Sequence, residues 1–366
     1  MTVGFYAPLP PARTGVADYA AALLAELRRH GRVEVAPQRC DVSLYHLGNN
    51  PLHAAIYRRA LETPGVVTLH DAVLHHFLLG QLDETAYVEE FVYNYGEWHR
   101  GLAQELWRGR AASGADPRYF QYPMLKHAVE RALAVVVHNA AAGRAVKAAA
   151  PDARVVEIPH LLQTPPLASE SETLRYRQRV GVDAGAFLFG VFGYLRESKR
   201  LFSVLEVFAE VHREIPATAL LVAGQFVSSG LERAVEPLLA QPGVVRRPHL
   251  KESEFWMAAA AVDACINLRY PSAGETSGIA IRTMGLGKPV LLTEGEECAA
   301  FPEDACVRIS AGPAERESLR QHMLLLPSMF AVARSIGQRA ARHVAAHHRV
   351  DRVGERYWEL LCALVT

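Results

Sequence analysis

Short apolar runs rich in β-branched residues alternate with helical patterns along almost the whole chain. Val3–Ala7, Val42–His46, Val66–His70, Ala134–His138 and Val155–Ile158 read as strands. Phe187–Gly193, Thr218–Ala223, Val262–Leu268, Pro289–Thr293 and Val307–Ser310 repeat the theme. Runs this short and this continuously apolar suit strands buried on both faces. Helices must then cover a parallel sheet on both sides, which predicts a doubly wound α/β fold. Two helices are clear from their period. Val16, Tyr19, Leu23, Leu24 and Leu27 form an apolar stripe after the first strand, with Thr14 as N-cap and Asp18 in the first turn. Leu201, Val204, Leu205, Phe208 and Val211 form another after Gly193, with Ser198 as its expected cap.

A chain of 366 residues predicts two domains at roughly 150 residues each. The stretch Leu161–Glu172, LLQTPPLASESE, is rich in Pro, Ser and Glu, has no period and reads as a linker. The expected division is an N-terminal domain over 1–165, a second over 166–348 and a C-terminal helix over 349–366. That helix carries Val353, Tyr357, Leu360, Leu361 and Leu364 on one face. A helical insertion is expected near 86–122, where Tyr87, Phe91, Tyr93, Tyr95, Trp98, Trp107, Tyr119, Phe120 and Tyr122 gather. They read first as a helical core and second as an aromatic wall for an acceptor. Open parallel sheets bind ligands beyond the carboxyl ends of their strands, so a cleft between the two domains is the expected site.

Lys plus Arg and Asp plus Glu both total 39. The zero net charge excludes a strong field for nucleic acid or an anionic membrane, and leaves room for one local basic site. The five cysteines form no CxxC pair, which argues for a reducing compartment and against a disulfide framework or zinc cluster. The opening residues lack a basic region followed by an apolar one, so no signal peptide is expected, and no apolar run reaches 18 residues. A cytoplasmic protein is expected, with peripheral contact at the inner membrane face left open. GxSxG, HExxH and a nucleophile–base set are all missing.

Four segments can carry chemistry. In YPSAGETSGIAIRTMGLGKPVLL, residues 270–292, Pro271 and Gly274 break the chain and a helix starts near Ser277. Its first turn offers the amides of Thr276, Ser277 and Gly278 to an anion or to sugar oxygens. Glu275 beside it can accept hydrogen bonds from sugar hydroxyls. In FGYLRESKR, residues 192–200, Gly193 ends a strand, and Arg196, Lys199 and Arg200 cluster at the next helix opening. Cations there are unfavourable for the helix, and an anionic ligand would offset them. In PLPPARTGVADY, residues 8–19, Gly15 opens a helix after Thr14, an anion site in form but without a P-loop lysine. In LHDAVLHH, residues 69–76, His70 ends a strand and can orient a sugar or an attacking hydroxyl. A metal site built from His70, Asp71, His75 and His76 is the less favoured reading. His160, in EIPH, also ends a strand, and a structural hydrogen bond at the linker is its plainer role.

The segments FYAPLPPARTGVADYAAALLAEL, LHD, VVVHNA, EIPH, FGYLRESKR, LLVAG, AAVDACINLRYPSAGETSG and GLGKPVLLTE cover nearly the whole chain in this order. The set resembles the retaining nucleotide-sugar glycosyltransferases of the GT-B fold, group 1 or family 4 type. The resemblance implies two Rossmann-like domains facing a central cleft, with a C-terminal helix crossing back to the first. It implies an acceptor domain, then a nucleotide-sugar domain, with no metal and no cofactor beyond the donor. Lys199 matches the lysine on the diphosphate. Tyr194 stands where the family has arginine, and Arg196 is the substitute. Gly15 matches the loop glycine near the diphosphate, and His70 the histidine near the transferred sugar. Glu275 matches the first of two glutamates, while Thr283 occupies the place of the second, which holds the ribose. A threonine can make one such hydrogen bond but not the charge-assisted pair of a carboxylate. The implied reaction moves a hexose from a UDP- or GDP-sugar to a saccharide or lipid-linked saccharide hydroxyl, with retention, in glycan, glycolipid or polysaccharide synthesis. A non-catalytic nucleotide-sugar-binding protein and a GT-B epimerase or phosphorylase are the alternatives.

Overall fold

The computed structural model describes every residue except Arg13, Pro166, His249 and Thr366. Among the described residues the alternation yields two six-stranded parallel sheets. The first contains β1 (Thr2–Tyr6), β2 (Arg32–Val35), β3 (Val42–Leu47), β4 (Val66–Leu69), β5 (Ala134–Val137) and β6 (Val155–Glu157). The second contains β7 (Phe187–Phe192), β8 (Thr218–Ala223), β9 (Val244–Arg247), β10 (Ala264–Asn267), β11 (Val290–Thr293) and β12 (Val307–Ile309). Their orders are β2-β1-β3-β4-β5-β6 and β12-β11-β10-β7-β8-β9. The second is the Rossmann order, with its reversal between β7 and β10, and the first reverses between β1 and β3.

Ten strands follow the expected runs, with every end within two residues. The sequence reading missed β2 and β9. Both are edge strands. Their sequences, RVEV and VVRR, mix charge with valine because an edge is covered incompletely.

The chain divides into two compact units. The first comprises Met1–Gln163, Pro271–Thr276 and His347–Thr366, and the second Thr164–Tyr270 and Ser277–Ala346. In the first unit, one core joins Tyr45, Val67 and Val135 of the sheet to Tyr87, Phe91 and Tyr119. The segment 86–122 is helical, through Glu84–Tyr95, Arg100–Gly109 and Arg118–Gln121, and its aromatics mostly fill that core. Tyr93, Trp98 and Phe120 lie outside it, Trp98 at 99% exposure. The other core joins Phe5 and Leu44 to Leu23 and Leu27 of the helix Gly15–His30 and to Tyr357 and Leu361. Tyr357 belongs to the helix Val350–Cys362, and its hydroxyl lies 3.0 Å from that of Tyr19 and 3.2 Å from Thr68 Oγ1. The C-terminal helix therefore completes the first unit.

In the second unit Phe189, Leu220, Ile266 and Leu291 pack with Leu201, Val204, Leu205, Phe208 and Val211 of the helix Leu201–Glu214. That helix is not capped by Ser198, contrary to expectation. Ser198 sits in a 3-10 turn, Glu197–Lys199, and Arg200 takes the cap position in the left-handed region, φ 58°. Its Nε donates to both carboxylate oxygens of buried Glu315, at 2.8 and 3.0 Å. Among the described residues no helix is long and apolar enough to cross a membrane.

Candidate functional site

In the second unit the candidates gather at the carboxyl end of β7, beside the reversal of strand order. Gly193 follows β7 with φ +89°, a conformation that costs any other residue strain. A Cβ there would stand 3.3 Å from Lys199 Nζ and 3.6 Å from Ile279 Cγ1. Gly193, Lys199 and the first turn of the helix Gly278–Gly285 are thus brought together. Lys199 is buried, and its ammonium donates to the Phe192 carbonyl. Arg196 is exposed. Arg200 is bound to Glu315, which neutralises one of the three cations expected at this helix opening.

Ser277 caps the helix as expected, accepting from Ala280 N at 3.2 Å. Its hydroxyl also meets Asn267 Nδ2 at 2.9 Å and Arg269 Nη2 at 3.3 Å, so the buried oxygen is occupied within the protein. Gly278 and Thr276 flank it. Thr283 does not present a hydroxyl for a ribose. It is wholly buried, and Oγ1 donates to Ile279 O at 2.8 Å and Ala280 O at 3.1 Å. A short side chain facing the core can bond back to its own helix, which is why the expected role fails.

In the first unit Thr14 caps the helix Gly15–His30, and Gly15 borders open space: a methyl added there would meet nothing within 4 Å. His70 follows β4 directly, and its Nε2 lies 3.0 Å from His46 Nδ1. Two residues on, Ala72 N donates to Ala273 O at 2.8 Å. Asn139, just after β5, donates from Nδ2 to Gly274 O at 3.0 Å and Thr276 Oγ1 at 2.9 Å. The loop carrying Glu275 and Thr276 therefore lies against the loop after His70. Glu275 turns one oxygen onto Ala273 N at 2.9 Å. His75 and His76 serve the aromatic segment instead of a metal: His75 meets Tyr122 O at 2.8 Å and Tyr87 OH at 2.7 Å, and His76 meets Ser113 O at 3.1 Å. Among the described residues no group of three His, Cys, Asp or Glu could hold a metal ion. His160 Nδ1 donates to Leu161 O at 2.8 Å, a local structural bond.

Burial dominates the electrostatics of this end of the sheet. Desolvation, then the neighbouring His138, pushes His46 down to about 3 and holds His70 well below the ordinary histidine range. Desolvation likewise brings His53 and His138 to about 4. These rings are neutral at pH 7, so His70 brings a dipole and not a charge. Two partners escaped the sequence reading. Asn139 lies in VVVHNA without an assigned role, although an Asn after a strand is a helix-cap signal. His46 ends an expected strand in the same way as His70 and His138, a repetition visible in the sequence.

No family model and no curated protein sequence matches the chain. Solved structures do. Sucrose-phosphate synthase from Thermosynechococcus elongatus is 14% identical, with a TM-score of 0.72 over 100% of this chain and 99% of that one. WaaG, a glycosyltransferase involved in lipopolysaccharide biosynthesis, is 16% identical, with a TM-score of 0.67 over 98% and 99%. HepE of Anabaena, in complex with UDP-glucose, is 14% identical, with a TM-score of 0.66 over 99% and 100%. Two six-stranded parallel sheets with flanking helices match these neighbours over nearly the whole of each chain: the chain has the GT-B fold.

Proposed function

We propose that this protein is a glycosyltransferase that moves a sugar from a nucleotide-diphosphate sugar to a hydroxyl acceptor, with retention and without a metal. One observation carries the reading. A buried ammonium, Lys199, lies beside Gly193 at the reversal point of a Rossmann-ordered sheet, where open sheets take nucleotides. The UDP-glucose held by HepE, on the same fold, supports it. Lys199 and exposed Arg196 offset the charge that develops on the departing diphosphate. In place of its internal bond to Phe192 O, Lys199 then bonds a phosphate oxygen. His70, Glu275 and Thr276 fix the sugar, and the amides near Gly15 and Gly278 supply further donors. With no covalent nucleophile recognised, the acceptor attacks from the face the diphosphate leaves, and the departing phosphate takes the acceptor proton.

UDP-, GDP- and ADP-sugars are screened by thermal shift. A donor at 100 times its Kd stabilises by about 2.7 kcal/mol. Release of the nucleoside diphosphate is then followed with acceptor and with chelator. Lys199→Ala cuts turnover by on the order of 100-fold or more with the melting transition retained. A variant that turns over like the parent, or a failure of every nucleotide-sugar to stabilise, overturns the proposal.

Thr283 favours one second reading. Its burial leaves that position without a ribose ligand. Donor binding with neither transfer nor hydrolysis would make the protein a nucleotide-sugar sensor on the same scaffold.

A further inference from the structure

Four histidines mark the carboxyl ends of four neighbouring strands. His46 lies in β3, and His70, His138 and His160 follow β4, β5 and β6. Their rings run in series, with centroids 5.3 Å apart for His46–His70, 5.2 Å for His70–His138 and 5.4 Å for His138–His160. Tyr19 packs on the last three at 4.8–5.2 Å. A hydrogen bond joins two of these rings, between His46 Nδ1 and His70 Nε2, and one of those nitrogens must carry the proton.

The orphaned nitrogens decide which. Nε2 of His46, His53 and His138 is buried in each case without a hydrogen-bond partner. For two of the three the proton is fixed by chemistry. His53 Nδ1 lies 2.8 Å from His46 O, and His138 Nδ1 lies 2.9 Å from Ile158 O. A carbonyl only accepts, so both rings carry the proton on Nδ1 and leave a bare imine nitrogen at Nε2. Buried unpaired N–H groups are rarer than buried unpaired acceptors. His46 faces the same choice. With its proton on Nδ1 it donates to His70 and leaves a bare Nε2, like its neighbours. The reverse would bury an unpaired N–H.

We propose that His46 is a positioning residue: it accepts no proton itself but holds His70 as the Nδ1–H tautomer, so that His70 meets a bound sugar as a hydrogen-bond donor and not as a base. This rests on the reading of His70 as a sugar contact. It also changes that reading, because a ring whose Nε2 is occupied and whose Nδ1 is protonated has no lone pair left for an attacking hydroxyl.

The test is long-range proton–nitrogen NMR on the full chain with labelled histidine, His70 being assigned by comparison with His70→Asn. The parent shows His70 protonated at Nδ1. His46→Leu loses that signature, because a free imidazole prefers Nε2–H. His46→Asn, whose amide nitrogen sits near the place of Nδ1, restores it. Transfer follows the same order: kcat falls about 100-fold in His46→Leu, the scale of one lost preorganised donor, and recovers in His46→Asn. Nucleotide affinity stays within about 3-fold throughout. A parent His70 protonated at Nε2 overturns the inference even where His46→Leu fails to fold. Equal loss of kcat in both variants also overturns it, as that marks a packing role. A confirmed Nδ1–H tautomer in a protein that transfers no sugar leaves the positioning by His46 standing and removes the transferase reading.

Discussion

Gly274 combines two constraints in one residue. Its φ of +71° strains any side chain, and a methyl there would stand 2.7 Å from Ala72 Cβ. Gly274→Ala must therefore move the loop that carries Glu275. The expected cost is about 1–3 kcal/mol in urea unfolding, with kcat falling more than nucleotide affinity. Parent-like kcat in a measurably destabilised variant would show that this packing does not place Glu275. The turn at Gly193 and the cap at Ser277 were legible because their neighbours in sequence announce them, a glycine after a strand and a break before a helix. Asn139 was not, since the carbonyl it holds lies 135 positions away. Thr283 misled for the opposite reason: its position in the motif is right, but its short side chain turns inward.

Helices were readable from the period that burial of one face imposes, and central strands from the continuous apolar runs that burial of both faces imposes. The edges were not. β2 and β9 obey the pairing of their sheets with only half the apolar signal. The cap of the helix Leu201–Glu214 was equally hidden, because it is made by tertiary contact. Glu315 is 2% exposed and is held by Arg200 from another element. Removing it leaves a left-handed Arg200 untethered at the helix start. Arg200 is itself one-third exposed and can rehydrate, so Glu315→Ala should cost about 1–3 kcal/mol and not the full price of a buried ion pair. Denaturant unfolding measures this, and a loss below about 0.5 kcal/mol would show that the turn holds itself.

Across the molecule, acid should act on one unit first. His46, His53, His70, His75 and His138 all belong to the first unit, and burial lowers each of them, His75 to about 4. The unfolded chain takes up protons near pH 6.5, and the folded one only near 3–4 where a value is set. Between these limits the unfolded state binds more protons. Stability is therefore complete above about pH 6.5 and falls as pH drops, by up to about 1.4 kcal/mol per pH unit for each histidine. Urea unfolding at pH 7.5, 6.0 and 5.0 should show a shrinking first transition. Equal stability at pH 7.5 and 5.0 would contradict the buried, neutral cluster.

The helix Val350–Cys362 has a consequence for synthesis. Tyr357 meets Tyr19 and Thr68, made 338 and 289 residues earlier. A ribosome adding roughly 5–20 residues per second completes the stretch 164–346 before that helix exists, an interval of roughly 10–40 s. Until then Leu23 and Leu27 lack the cover that Tyr357 and Leu361 later provide. The unit that starts to emerge first is thus the last to close. The helix Gly15–His30 therefore keeps part of its apolar face open throughout synthesis, and closes it only when the helix Val350–Cys362 has left the ribosome and docked.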